Sequence, residues 1–138
     1  MRNYIILFLL AFSFGLSAQT ESKTKTSNRP LPALVYYAMR DSCTQLDLVF
    51  TKRGGSLSVD GKNVRLFTNM IDGSSAVPNK QERDGFIMWV KNGREFCSGD
   101  FYITSDSTGY LRFKIQDKEF VNSFTKQGAQ FIQARLTH

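Results

Sequence analysis

Histidine is almost missing. Among 138 residues only His138 carries an imidazole. That scarcity excludes Ser-His-Asp and Cys-His nucleophilic sites, and with them the paired-histidine zinc hydrolases. The two cysteines are too few for a zinc cluster or a disulfide-dense miniprotein, and three prolines with ten glycines exclude a collagen-like or low-complexity chain. No Gly-x-Ser-x-Gly elbow, phosphate-cradling loop or dinucleotide fingerprint occurs. The one long apolar run, residues 4–14, is about half of the ~20 residues that span a bilayer, so the chain is expected not to cross a membrane. Catalysis is left with a carboxylate pair as its remaining route. Asp72, Glu82, Asp84, Asp100 and Asp106 are the candidates, and no spacing singles out two of them. The expectation is a protein that is not an enzyme, with no cofactor and no metal.

What is present begins with an address. Residues 1–18 run from a basic start (Arg2) through the apolar stretch to Gly15-Leu16-Ser17-Ala18, the three-part pattern of a cleaved signal peptide. The ending Leu16-Ser17-Ala18-Gln19 resembles bacterial export leaders, which implies a periplasmic or secreted protein. Residues 19–32 hold no apolar side chain before Leu31 and read as a flexible polar linker, because nothing in them offsets ordering entropy by burial. Residues 33–138 are expected to form one domain, a length and an aromatic share of 13% that suffice for a core.

Period-two alternation dominates that domain. Residues 33–39 form an apolar strand candidate. Leu46, Leu48 and Phe50 share one face of the next strand, and Leu57 and Val59 lead to Asp60-Gly61, a hairpin dipeptide, with Val64, Leu66 and Thr68 on the return. Phe86, Met88 and Val90 alternate with Ile87 and Trp89 up to Asn92-Gly93, the strongest hairpin signal in the chain. Phe96, Phe101 and Ile103 carry the return strand, in which Gly99 marks a bulge or a close backbone approach. Leu111, Phe113 and Ile115 alternate next, and Ile132, Ala134 and Leu136 last; residues 119–126 read as a strand or a single helical turn. The pattern predicts an all-β fold, a single antiparallel β-sandwich or small β-barrel of about 7–9 short strands. Trp89, central in a strand apolar on both faces, is expected in the core with its N–H paired.

Cys43 and Cys97 are expected to form one disulfide, as two cysteines in an exported chain most simply do. It would close a loop of about 55 residues and contribute ~4 kcal/mol in the chain-entropy model.

The formal charge of +6 invites a nucleic-acid reading. The cations are instead spread over every loop and strand, from Lys52 and Arg53 through Arg83 and Arg112 to Lys126, with no clustered footprint. The partner expected is an unknown protein, a glycan or an anionic envelope component, and no nucleic acid. Residues 71–85 are the longest stretch without periodicity and the candidate recognition loop, with Asp72, Ser74, Ser75, Asn79, Lys80 and Arg83 as its polar residues. The function expected is an exported non-enzymatic binding domain. The alternatives are a lipocalin-like carrier, which requires an enclosed apolar cavity of about 300–1,000 Å³, and an inhibitor of a secreted hydrolase.

Residues 86–96, with Trp89, Lys91 and Gly93, loosely resemble the Trp-x-Lys-Gly strand of small periplasmic inhibitors of C-type lysozyme, which are exported β-barrels with a disulfide. Asn92 stands between Lys91 and Gly93, and the family's Ser-Gly-x-x-Tyr loop motif is missing before the strand. The resemblance therefore covers about ten residues and carries over no inhibitory residue.

Overall fold

The computed structural model describes residues 28–138. The signal-peptide reading and most of the linker reading fall on residues 1–27, outside the described part. Nine elements follow one another: α1 (Ala33–Ser42), β1 (Gln45–Phe50), β2 (Ser56–Asp60), α2 (Lys62–Thr68), β3 (Gly85–Lys91), β4 (Arg94–Ser105), β5 (Thr108–Ile115), β6 (Lys118–Ser123) and α3 (Lys126–Thr137). The strands make one open antiparallel sheet of six in the order β2-β1-β3-β4-β5-β6. The antiparallel β-rich reading stands, but the structure is an open sheet with helices, not a clear sandwich or barrel of 7–9 strands.

The helices account for three expected strands. Residues 33–39 turn inward at Val35, Tyr36 and Met39 and leave Leu34 and Tyr37 exposed, a spacing of one and four that belongs to α1. A short apolar run with no polar alternation does not separate strand from helix, which is why it misleads. Asp60-Gly61 is not a hairpin. Gly61 takes φ +53° and ψ −130°, sending the chain into α2, whose Val64, Phe67 and Thr68 are buried at helical spacing. The last alternation is also helical: Gly128, Ala129 and Ile132 face the core of α3, and the Thr125 side chain caps it by accepting from the Gly128 amide at 3.1 Å. Residues 119–126 contribute the strand half of their alternative reading, as β6.

All three helices supply side chains to one continuous core on one face of the sheet. Leu46, Leu48, Ile87, Trp89, Phe101, Leu111 and Phe113 point into it from the strands, and Met39, Val64 and Ile132 meet them from the helices. Trp89 is fully buried, and its indole N–H donates to Thr68 Oγ1 at 3.0 Å, which in turn donates to the Val64 carbonyl at 2.8 Å. Gly99 is a close-approach glycine. A Cβ there would lie 2.9 Å from the Phe113 ring, and the bulge falls three residues earlier on the same strand, at Phe96, where Trp89 faces Cys97 and Val90 faces Glu95.

The two sheet edges differ. The β6 edge is partly covered by the segment before α1: the Val121 amide donates to the Arg29 carbonyl at 2.8 Å, and the Leu31 amide to Asn122 Oδ1 at 2.8 Å. The β2 edge has no neighbouring strand among the described residues. Among those residues, too, no helix is long and apolar enough to cross a membrane.

The expected disulfide is corrected. Cys43, at the end of α1, and Cys97, on β4 opposite Trp89, are both buried free thiols. An even cysteine count in an exported chain sets a redox expectation, but it says nothing of whether the two sulfurs meet in bonding geometry. Burial pushes the Cys43 thiol up, with Lys91 opposing. Burial pushes Cys97 up to about 12, with Cys43 and Glu95 adding to it.

Candidate functional site

Among the described residues, no helix covers the second face of the sheet. Alternation places Asp47 and Val49 of β1, Phe86, Met88 and Val90 of β3, Ser98, Asp100 and Tyr102 of β4, Tyr110, Arg112 and Lys114 of β5 and Glu119 and Val121 of β6 on this side. That arrangement explains why β3 is apolar on both faces: Ile87 and Trp89 fill the core, while Phe86, Met88 and Val90 stay half-buried.

Residues 71–84 cross one end of this face as a strap. Ala76 packs on the stacked rings of Tyr102 and Tyr110, whose centroids are 4.8 Å apart, and on Val121 beneath. Of the candidate recognition residues, Asp72, Ser74 and Ser75 bind to β6. The Asp72 amide donates to the Ser123 carbonyl at 2.8 Å, and the Ser74 carbonyl accepts from the Ser123 amide at 3.0 Å. The Asp72 carbonyl also accepts from Asn122 Nδ2 at 3.0 Å, and its carboxylate accepts from the Ser74 amide at 3.1 Å. The Ser75 carbonyl accepts from Ser123 Oγ at 3.4 Å. Asn79 is exposed beside a shallow pocket of about 300 Å³ with Ile103 and Thr104.

Lys80 and Arg83 serve two further places. The Lys80 amide donates to the Tyr110 hydroxyl, which donates back to the Lys80 carbonyl, each at 3.0 Å. Lys80 Nζ lies 2.6 Å from Asp84 Oδ2 and 2.9 Å from the Ile103 carbonyl. Asp84 is buried, and it also accepts from the Ile103 amide at 2.7 Å and meets Lys52 Nζ at 3.2 Å. Burial works to raise the Asp84 pKa, but the bonds from Lys80, the Ile103 amide and Lys52 outweigh it and hold the carboxyl below its usual range. This carboxylate is the knot that ends the strap, and no motif in the sequence announces it.

Arg83 alone among the candidates faces the groove that the strap leaves open. That groove, about 290 Å³, is lined by Arg83, Phe86, Ser98, Asp100, Arg112 and Lys114, with Gly99 at its floor. Arg83 reaches Asp100 at 2.9 Å, and its guanidinium lies 6.0 Å from the Phe86 ring centre. Arg112 Nε is 3.0 Å from Glu119 Oε1, an ion pair off the line of a hydrogen bond, and its guanidinium sits 5.3 Å from the Tyr102 ring centre. Lys114 has no carboxylate partner among the described residues. The candidate loop therefore does not gather into one site. Phe86, Ser98, Arg112 and Lys114 were missed as a group because only strand register brings them together; the alternation of Arg112 and Lys114 with apolar residues was the available sign.

Among the described residues, no group of three His, Cys, Asp or Glu side chains could hold a metal ion. No protein-family model, curated protein or solved structure matches this chain.

Proposed function

We propose that the protein is an exported, non-enzymatic binding domain whose partner is an anionic envelope component, an acidic glycan or an acidic protein surface. The observation that carries this reading is the groove on the helix-free face, which sets three cations against one carboxylate around the half-buried Phe86 ring. Arg83 and Arg112 are held by their ion pairs and by the rings beside them, so their guanidinium planes are oriented before a ligand arrives. Lys114 supplies an ammonium with no carboxylate partner among the described residues. Such a site recognises carboxylate or sulfate groups by charge and offers a ring for a sugar or an apolar side chain to stack on. The net charge of +6 speeds encounter with an anionic surface and makes that encounter salt-dependent.

The carrier alternative has less support. The core side of the sheet is filled by side chains such as Trp89, Phe101 and Phe113, and the apolar space beside it is an open groove.

The test is titration of the full chain with polygalacturonate, a carboxylated glycan, against neutral dextran, with amide chemical shifts as the readout. Binding to polygalacturonate alone is expected, with shifts centred on Phe86, Ser98 and Arg112, and a loss of about tenfold in Lys114→Glu. Equal loss in Lys126→Glu, a control on the first turn of α3, would reduce the effect to net charge and refute the site.

A further inference from the structure

We infer that the free edge of β2 is a docking site for an extended peptide of another protein, one that carries apolar residues at alternate positions flanked by acidic ones.

The backbone sets the first condition. In the β1–β2 ladder the Phe50 amide donates to the Gly55 carbonyl and the Gly61 amide to the Thr44 carbonyl, which fixes the hydrogen-bonded positions at every second residue. Gly55, Leu57, Val59 and Gly61 therefore turn their peptide groups toward β1. Ser56, Ser58 and Asp60 turn theirs away from the sheet, and all three residues are exposed. β2 is short and ends on the charged Asp60, but it carries no proline, lysine or bulge to block pairing along its length. The opposite edge, by contrast, is partly covered by Arg29 and Leu31. Outward amides and carbonyls of this kind are complementary to an added strand.

Side chains set the second condition. Leu57 and Val59 pair with Leu48 and Leu46, so they lie on the helix side of the sheet, where a groove of about 300 Å³ opens between β2, α2 and α3. Met70 and Phe131 line it, and Leu66 stands at it 59% exposed. An antiparallel strand added beside β2 places two of its side chains, one residue apart, against this wall.

Charge sets the third. Arg53 precedes β2, Lys62 follows it, and Arg135 lines the groove, with the Arg53 guanidinium 3.0 Å from the Arg135 carbonyl. None of the three has a carboxylate partner among the described residues. Acidic residues on either side of the apolar pair meet these cations, whereas a second copy of β2 would bring Lys62 toward the turn that holds Arg53.

The experiment uses the full chain and three heptapeptides: acetyl-Glu-Glu-Val-Ser-Val-Glu-Glu-amide, the same peptide N-methylated at its serine, and its counterpart with lysine for every glutamate. Amide exchange and chemical shifts of Ser56, Ser58 and Asp60 are the readout. The acidic peptide is expected to bind and to slow exchange at these three amides. N-methylation, lysine replacement and Leu66→Asp in the protein are each expected to weaken binding tenfold or more. Binding that survives N-methylation overturns strand addition, and equal binding of the lysine peptide overturns the acidic specificity. Protection of the three amides in the protein alone, with sedimentation reporting monomer or dimer, overturns the proposal in favour of residues 1–27 or a second copy. The groove on the other sheet face is untouched by Leu66→Asp, so loss here leaves polygalacturonate binding unchanged.

Discussion

Trp89 joins the sheet to α2 through one hydrogen bond and a ring buried on every side, with Phe113 5.8 Å away between ring centres. Trp89→Ala removes that packing and the indole donor to the Thr68 hydroxyl, which keeps its bond to the Val64 carbonyl, and is expected to cost ~3–5 kcal/mol. Urea denaturation followed by circular dichroism measures it, because the sole tryptophan is gone. Asp84 is the second residue on which much depends. Folding depresses its pKa, so its contribution is present above the ordinary carboxylate value of about 3.9 and is lost as pH falls through the lower folded value. Asp84→Asn is expected to cost about 1–3 kcal/mol at neutral pH, since the buried Ile103 amide and Lys80 lose a charged acceptor. It should also flatten the acid limb of the stability profile below pH 4, which thermal melts at stepped pH would show. At Cys97 a pKa of about 12 leaves almost no thiolate near pH 8. Iodoacetamide is expected to spare this thiol in the native protein and to label it in urea, and a mass spectrum that finds it already bonded would contradict the free thiols.

Among the elements, the strands were legible where turn chemistry and alternation agreed. Asn92 and Gly93 take φ of +53° and +71°, the two-residue turn their identities demand, and the strands on either side are β3 and β4. Asp60-Gly61 carries a similar signal and opens a helix, because Val64, Phe67 and Thr68 gain more by facing the core at helical spacing than a polar hairpin would offer. The β5–β6 turn shows the reverse case. Gln116 and Asp117 adopt φ of +48° and +61°, a left-handed pair that Asp tolerates but Gln does not advertise. Replacing them with Asn-Gly is expected to stabilise the protein by about 1 kcal/mol, since the left-handed conformation costs a residue with a Cβ roughly 1–2 kcal/mol and Gly returns part of that as chain entropy. A rise in urea midpoint at unchanged slope is the measurement. The strap's lack of period marks it as a loop, but its attachment through Lys80 and Asp84 depends on contacts between distant segments that no local pattern encodes.

In the whole molecule, the main core takes side chains from the sheet and all three helices, while Tyr102, Tyr110 and Val121 form a smaller cluster beneath Ala76 on the other face. Unfolding is therefore expected in one step, with Trp89 fluorescence and far-ultraviolet circular dichroism giving the same midpoint; separate midpoints would divide the core. The sequence carried the sheet because alternation is written residue by residue, but it did not carry the uneven covering of the two faces. That unevenness follows from which short apolar runs coil, and runs of this length fit either period. The strand order has a kinetic consequence. β3, β4, β5 and β6 follow one another through two-residue turns, whereas β1 finds β3 only across the segment that holds β2, α2 and the strap. Closing such a span demands more entropy before any contact rewards it, so the four-strand meander is expected to form first and the β1–β3 seam last. Leu111→Ala in β5 should then slow refolding, while Leu48→Ala in β1 leaves refolding nearly unchanged and speeds unfolding.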